Sequence, residues 1–312
     1  MSRFKNLEGH IMSLSDVEHE IGNFYDYLWS DPGKIKRSGK GLFLGWHYGF
    51  YEKGIKNINE AMINMNNYLG RLLELDDKTG LNILDAGSGV GSTSIYLAKI
   101  YPNCFFNGID LTAVEVKIAE LSRKKQKVEN VKFKHASYMD SGFPDNHFDR
   151  IFALESTVYA PNKKKFLNEM YRLLKPNGKL VIIDTFPKKL IINSMRVNTY
   201  SYFHQKKFTK EHLENYYGSI GTFTNHLKSE KFREINVKDI VDSGNVKRSH
   251  IYAFLISLMY PYLVSYLREI RKNRNPVIYG LISPFLFLIF YVYRILLLFS
   301  VKPSYFSIEA KK

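Results

Sequence analysis

Apolar and polar positions divide the chain into three zones. From residue 1 to about residue 80, apolar residues recur at helical spacing in IGNFYDYLWS and again in INEAMINMNNYLGRLLEL. Between them lies GKGLFLGWHYGFYEKG, rich in glycine and aromatics and without a period, which reads as a loop. Residues 81–241 alternate. Short apolar runs at LNILDA, CFFNGID, VKFKHA, DRIFALE and KLVIIDTF predict strands. The patterns STSIYLAKIY, TAVEVKIAELSRKKQ and KKKFLNEMYRLLK between them predict helices. Such alternation implies βαβ units, hence an α/β fold with a mainly parallel sheet covered on both faces. The segment KPNG, Lys175 to Gly178, is expected to end a helix before the next strand. Residues 242–312 hold two long apolar runs, IYAFLISLMYPYLVSYL and VIYGLISPFLFLIFYVY, separated by the basic REIRKNRN. A strand-like run, SYFSIEAKK, follows them.

Composition narrows the picture. With 45% hydrophobic residues among 312, a sizeable core can form and wholesale disorder is not expected. The net charge of +15 favours anionic partners, or else reflects a lysine-rich solvated surface. No nucleic-acid-binding module accompanies it, so nucleic acid is not an expected partner. Cys104 is the sole cysteine, which excludes an intramolecular disulfide and a thiolate metal cluster. The histidines are scattered without ligand spacing, so no metal is expected. The first residues lack the pattern of a secretory signal, and a reducing, cytoplasmic setting is expected.

The densest chemical signal is LDAGSGVGSTS, Leu84 to Ser94, where the first strand of the alternating zone gives way to a helix. Glycines tolerate positive φ and let a ligand approach the backbone, and a helix N-terminus offers free N–H groups. Gly87, Gly89 and Gly91 therefore predict a tight turn around a ligand. Asp110, at the end of the second strand, can accept hydrogen bonds from a vicinal diol. Both a dinucleotide and S-adenosylmethionine carry such a ribose. Asp85, just before the turn, would repel a pyrophosphate but suits the sulfonium and amino group of S-adenosylmethionine.

These segments, with GIDLT, FPDNHFDRIFALES and LNEMYRLLKPNGKLVIIDTF, resemble the successive motifs of class I S-adenosylmethionine-dependent methyltransferases. GWHYGFYEKG and ALES look like the subgroup that methylates sterols, tocopherols, small prenyl acceptors and some alkaloid amines. The resemblance implies a Rossmann-like seven-stranded sheet with one antiparallel strand near its C-terminal edge. It implies the cofactor lying across the strand ends. By it, Asp85, Gly87, Gly89 and Gly91 line the methionine portion, and Asp110, with Leu111 beside it, the ribose. The family usually places an acid on the adenine. In HASYMD, Ser137 stands at that register, with Tyr138 beside it.

Two residues are candidates for the chemistry. Glu155 ends the strand DRIFALES at the ligand rim, where the resemblance sets it near the transferable methyl. The plainer alternative is a strand-end carboxylate satisfied by backbone. His47, flanked by Trp46, Tyr48 and Tyr51, suggests an aromatic loop over the site whose ring faces stabilise cations. Its plainer alternative is a cluster docking the N-terminal helices on the core.

The apolar runs of the last zone carry Pro261 and Pro284 near their middles, which weakens a bilayer-spanning reading. A peripheral surface with cations on anionic lipid, and a helical cap over an apolar pocket, stand beside it. The expected organisation is thus an N-terminal helical and aromatic lid region (1–80), a cofactor-binding core (81–241), and an apolar cap or membrane-association insert with a last core strand (242–312). The expected activity is methyl transfer to a hydrophobic or lipid acceptor, first of all C-methylation of an isoprenoid, prenylated or sterol-like molecule. N-methylation of an amine-containing lipid or alkaloid-like metabolite is the alternative, and a non-catalytic membrane scaffold the third. A homo-oligomer stays open.

Overall fold

The computed structural model describes residues 18–19, 47–76, 78–186, 188, 218–241 and 304–312. Trp46, IGNFYDYLWS and both long apolar runs lie outside them. The elements, in chain order, are α1 (Ile58–Leu72), β1 (Asn82–Ala86), α2 (Ser92–Ile100), β2 (Phe105–Asp110), α3 (Ala113–Lys125), β3 (Val131–His135), β4 (Phe148–Leu154), α4 (Lys163–Leu173), β5 (Leu174–Asp184), α5 (Ile220–Ser229), β6 (Arg233–Asp239) and β7 (Phe306–Lys311). A single 3-10 turn, Thr157–Tyr159, follows β4. Among these residues no helix is long and apolar enough to cross a membrane.

Seven strands form one sheet in the order β3-β2-β1-β4-β5-β7-β6. The first five are parallel, and β7 runs antiparallel to both β5 and β6. Strand alternation splits the core into two layers. Leu84, Ile151, Leu180 and Ile182 face one side with Phe166, Leu167 and Met170 of α4 and Phe223 and Leu227 of α5. Ile83, Phe152, Val181 and Ile183 face the other with Met65 and Leu69 of α1 and Ile95 and Leu97 of α2. Because both faces are covered, the parallel strands read as nearly continuous apolar runs. Each such core side chain is worth about 1.5–3 kcal/mol on burial.

Helix starts follow their capping chemistry. Asn57 caps α1 by accepting from the Glu60 N–H, and Asn162 caps α4 by accepting from the Lys165 N–H. The expected punctuation at Lys175–Gly178 lies elsewhere. Helix α4 ends at Leu173, and β5 begins at once with Leu174 opposite Phe148. Pairing then jumps to Arg150 opposite Lys179, so Lys175–Gly178 bulge out of an existing strand. Asn177 takes a φ of 63° to make that bend. Two elements carry weak apolar patterns and no sequence expectation, α5 and β6. β6 is an edge strand in which exposed Glu234, Asn236 and Lys238 alternate with half-buried Ile235 and Val237, so its apolar signal is only two residues long.

Candidate active site

Each of the five parallel strands ends on the same edge of the sheet, and each delivers a polar group there. β1 leads into the glycine turn, β2 ends at Asp110, β3 leads to Ser137 and Tyr138, β4 to Glu155, and β5 ends at Asp184. The crevice outside such strand ends is where doubly wound sheets take ligands.

Two glycines explain the turn after β1. Gly87 has φ 93°, and a Cβ there would sit 2.3 Å from the Ser156 Cβ. Gly91, with φ 78°, opens α2, and a Cβ there would strike the Phe133 ring at 2.5 Å. Side chains at either place would be strained as well as crowded. The Gly87 and Ser88 N–H groups both donate to the Ile109 carbonyl at 2.9 Å. The Gly89 N–H donates to Asp110 Oδ2 at 2.8 Å, and the Thr112 N–H to Oδ1 at 2.9 Å. Asp110 therefore braces the turn from below with both oxygens.

Asp85 is 3% exposed and accepts a 2.7 Å hydrogen bond from Ser94 Oγ. Burial pushes its carboxyl up to about 7; Ser94 opposes this and the charge of Asp110 adds to it. Burial raises Asp110 too, against the N–H groups of Thr112 and Gly89. The buried Asp85 and the half-buried Asp110 thus repel one another beside the turn. The Ser88 hydroxyl, buried there, makes no hydrogen bond. Leu111 is half-buried, and its carbonyl meets His135 Nε2 at 2.9 Å.

Ser137 donates through Oγ to Glu18 and accepts from the Met139 N–H at 3.1 Å. Tyr138 lies against the glycine turn. Its hydroxyl donates to the Ser156 carbonyl at 3.1 Å, and its ring meets Phe166 edge-on at 5.2 Å. Ser156 in turn donates to the Ala86 carbonyl, so the loops after β1, β3 and β4 are tied together.

Glu155 is held differently. Its φ is 53°, a left-handed bend, and its N–H donates to the Ile183 carbonyl at 2.8 Å. The Tyr48 N–H and the Tyr305 hydroxyl both donate to Oε1, each at 2.6 Å. Oε2 carries no hydrogen bond among the described residues. Burial pushes the carboxyl up to about 8, opposed by Tyr305 and Tyr48 and assisted by the charge of Asp184.

His47 reaches the same corner from the loop before α1. Its Nδ1 lies 3.0 Å from the Tyr48 carbonyl, which can only accept, so Nδ1 carries the proton. Burial pushes the imidazole down to about 4, and it is neutral near pH 7. The Tyr48 ring meets Tyr305 edge-on at 5.6 Å. Tyr51 is buried. The loop is also docked on α1: Phe50 stacks on Tyr68 at 4.5 Å, and its N–H donates to the Ala61 carbonyl at 2.8 Å. It thus joins the N-terminal helix to the sheet while contacting Glu155.

Four residues of this corner have no counterpart in the sequence-based expectation: Tyr305, Asp184, Lys163 and Ser156. Asp184 accepts from the Val158 N–H at 2.8 Å. Lys163, 3% exposed, donates to the carbonyls of Thr157, Val158 and Ala160 at 2.7–3.0 Å. Burial pushes its pKa down to about 7, yet three carbonyls take all three N–H bonds that only the ammonium has. Together they clamp the turn after Glu155. Among the described residues no group of three or more His, Cys, Asp or Glu side chains is gathered to hold a metal ion.

A family pattern described as a methyltransferase domain matches residues 77–240. The tocopherol O-methyltransferase of Arabidopsis thaliana chloroplasts is 25% identical over 272 residues, covering 83% of this chain and 73% of its own. A sterol 24-C-methyltransferase of Gibberella zeae is 30% identical over 139 residues, covering 43% of this chain and only 35% of its own. Among solved structures, the geranyl diphosphate C-methyltransferase of Streptomyces coelicolor A3(2) shares the fold with a TM-score of 0.60 at 13% identity, covering 95% of this chain and 97% of its own.

Proposed function

The chain belongs to the methyltransferase-domain family and takes S-adenosylmethionine as its cofactor; on that premise we propose that it methylates a hydrophobic acceptor at carbon, an isoprenoid, prenylated or sterol-like molecule. The residues present fit the cofactor. A buried carboxyl, Asp85, and a half-buried one, Asp110, repel each other at the turn, and a cationic ligand relieves that repulsion. A glycine turn closed to side chains and a buried, unpartnered Ser88 hydroxyl stand beside them. In this reading Asp85, Gly87, Gly89 and Gly91 hold the methionine portion. Asp110 and Leu111 hold the ribose, and Ser137 and Tyr138 border the adenine.

The bound cofactor supplies an electrophilic methyl group on a sulfonium. The observation that carries the assignment is Glu155 Oε2, a carboxyl oxygen at the strand end with no hydrogen bond to occupy it. Attack of an acceptor double bond on that methyl would form a carbon–carbon bond as the carbon–sulfur bond breaks, its electron pair staying on sulfur as a neutral thioether, and would leave positive charge on the neighbouring acceptor carbon. Loss of a proton from that cation restores the double bond. Glu155, pushed up to about 8 and drawn toward ionisation by the cation beside it, is matched to take that proton near neutral pH. The Tyr48 and Tyr305 rings, packed edge-on against each other, come from the two residues that donate to it. His47, neutral and hydrogen-bonded to the Tyr48 carbonyl, sits beside Glu155's donor as a lining residue of the site. The tocopherol relative supports a second reading, an oxygen acceptor, for which the same base serves. N-methylation of an amine-containing acceptor gives the base work only where the nitrogen has a proton to lose; formation of a quaternary ammonium releases none.

The test is transfer of labelled methyl from S-adenosylmethionine into a lipid extract, followed by mass spectrometry. A product stable to hydrolysis and carrying the label on carbon is expected. A label on nitrogen or oxygen overturns C-methylation, and no label in any fraction leaves a cofactor-binding scaffold. We extend the reading to contact with the cytoplasmic face of an anionic membrane through Arg268, Arg271, Lys272 and Arg274 between the apolar runs, on sequence grounds alone. Flotation with anionic vesicles but not neutral ones supports that extension; an unbound protein in both removes it.

A further inference from the structure

We infer that Tyr305 is a positioning residue for Glu155: with the Tyr48 N–H it occupies Oε1, and so leaves Oε2 as the oxygen that meets the acceptor. The inference rests on the reading of Glu155 as the group that takes the proton.

Tyr305 lies just before β7, 150 positions from Glu155 along the chain. It is fully buried, and its backbone carbonyl accepts the Ile240 N–H at 2.9 Å. Strand pairing therefore fixes where its ring enters the site. A fully buried phenol needs a hydrogen-bond partner, and this one spends its proton on Glu155 Oε1. The hydroxyl is a permanent donor, because burial and the charge of Glu155 push its own ionisation well above the usual tyrosine range. A carboxyl group with both donors on one oxygen is asymmetric. Its proton can reside only on the other oxygen without displacing one of them. Tyr48 supplies the second donor from the opposite end of the chain, and its ring packs edge-on against Tyr305. The corner closes only when the loop before α1 and the segment before β7 are both in place.

The charged and titratable groups around Glu155 come from each element packed on it. Tyr305 comes from the segment before β7, and Tyr48 with neutral His47 from the loop before α1. Asp184 comes from the end of β5, with Lys163 of α4 beyond it. Tyr305 and Tyr48 draw the Glu155 carboxyl toward ionisation, while burial and Asp184 oppose them. Removing the phenol hydroxyl while keeping its ring must therefore tighten the proton on Glu155.

The titration is read directly from the side-chain carboxyl carbon of 13C-glutamate-labelled protein with S-adenosylhomocysteine bound, the Glu155 signal being the one lost in Glu155→Gln. Tyr305→Phe is expected to raise the midpoint by roughly half to one pH unit, about a three- to tenfold tighter proton. Replacement of Tyr305 by 3-fluorotyrosine, a stronger donor of the same shape, is expected to lower it. The pH profile of labelled-methyl transfer into the lipid extract should shift in the same two directions. A residue that merely filled space would lower activity in the Phe variant without moving either midpoint. Should the Phe variant fail to fold, the fluorotyrosine variant carries the test. Midpoints unmoved in the variants overturn the inference and leave the role of Glu155 standing, because that role falls only if Glu155→Gln keeps full turnover.

Discussion

Asp110 and Glu155 are both carboxyls at strand ends, and each accepts two hydrogen bonds from neighbours. Asp110 spreads its two over both oxygens, to backbone N–H groups of Gly89 and Thr112, no more than 21 positions away. Glu155 takes both on Oε1, from residues 107 and 150 positions away. The first arrangement makes a brace: it fixes a turn and has little freedom left. The second leaves Oε2 without a hydrogen bond among the described residues and makes the carboxyl's properties depend on distant parts of the chain. In the proposed function one strand-end acid shapes the place for the cofactor, while the other is kept for proton exchange.

The sharpest way to break this comparison is to neutralise each acid. Glu155→Gln keeps the shape and is expected to lower turnover by about two orders of magnitude or more. Binding of S-adenosylhomocysteine, measured by calorimetry, should change by less than about twofold, since the loss lies in the chemical step. Near-normal turnover would reduce Glu155 to another brace. For Asp110→Ala the split reverses. Affinity for S-adenosylhomocysteine should drop about tenfold or more, because a charged hydrogen-bond acceptor is lost. Thermal stability should drop with it, by about 1–3 kcal/mol, because Gly89 and Thr112 lose their acceptor. Unchanged affinity in a folded variant would take Asp110 out of the ribose role.

The smallest effect is on stability against pH. Glu155 is raised to about 8, so the folded protein holds its proton more tightly than the unfolded chain does. Its contribution is fully present below the ordinary glutamate range and is lost as pH rises toward about 8. His47, pushed down to about 4, acts in the opposite sense below its usual range. Comparing wild type with Glu155→Gln isolates the glutamate. The stability difference should fall between pH 5 and 8, no more steeply than about 1.4 kcal/mol per unit. A difference flat with pH in urea melts would mean that Glu155 behaves as a solvated carboxylate.

The Asp110 half was legible in the sequence because it is local. A strand, three glycines, a helix start and an acid at the next strand end all lie between Leu84 and Leu111, and buried parallel strands announce themselves as apolar runs. The Glu155 half is written across the chain. Nothing near Tyr305 in SYFSIEAKK says that its hydroxyl will meet a residue 150 positions earlier. Asp184 did carry a signal: it ends the run KLVIID as Asp110 ends its own strand, and the same rule would have found it. Lys163 was hidden in KKK, which reads as a solvated face. Three lysines in the first turn of a helix oppose its dipole, and that conflict was the available hint that one of them is engaged elsewhere. The bulge at Lys175–Gly178 escaped for another reason, since turn residues mark a bend equally well between elements and inside one.

The position of β7 has a consequence for synthesis. In the finished sheet β6 pairs with β7 and, among the described strands, with no other, and β7 also separates it from β5. On the ribosome, β6 emerges roughly 65 residues before the strand that must pair with it, a wait of about 3–13 s at usual elongation rates. For that interval the unpaired edges of β5 and β6 lie open to any passing extended segment, including those of sister chains on the same message. The exposed polar side chains of β6, Glu234 and Lys238 among them, are then a guard for the nascent chain as much as a surface of the mature one.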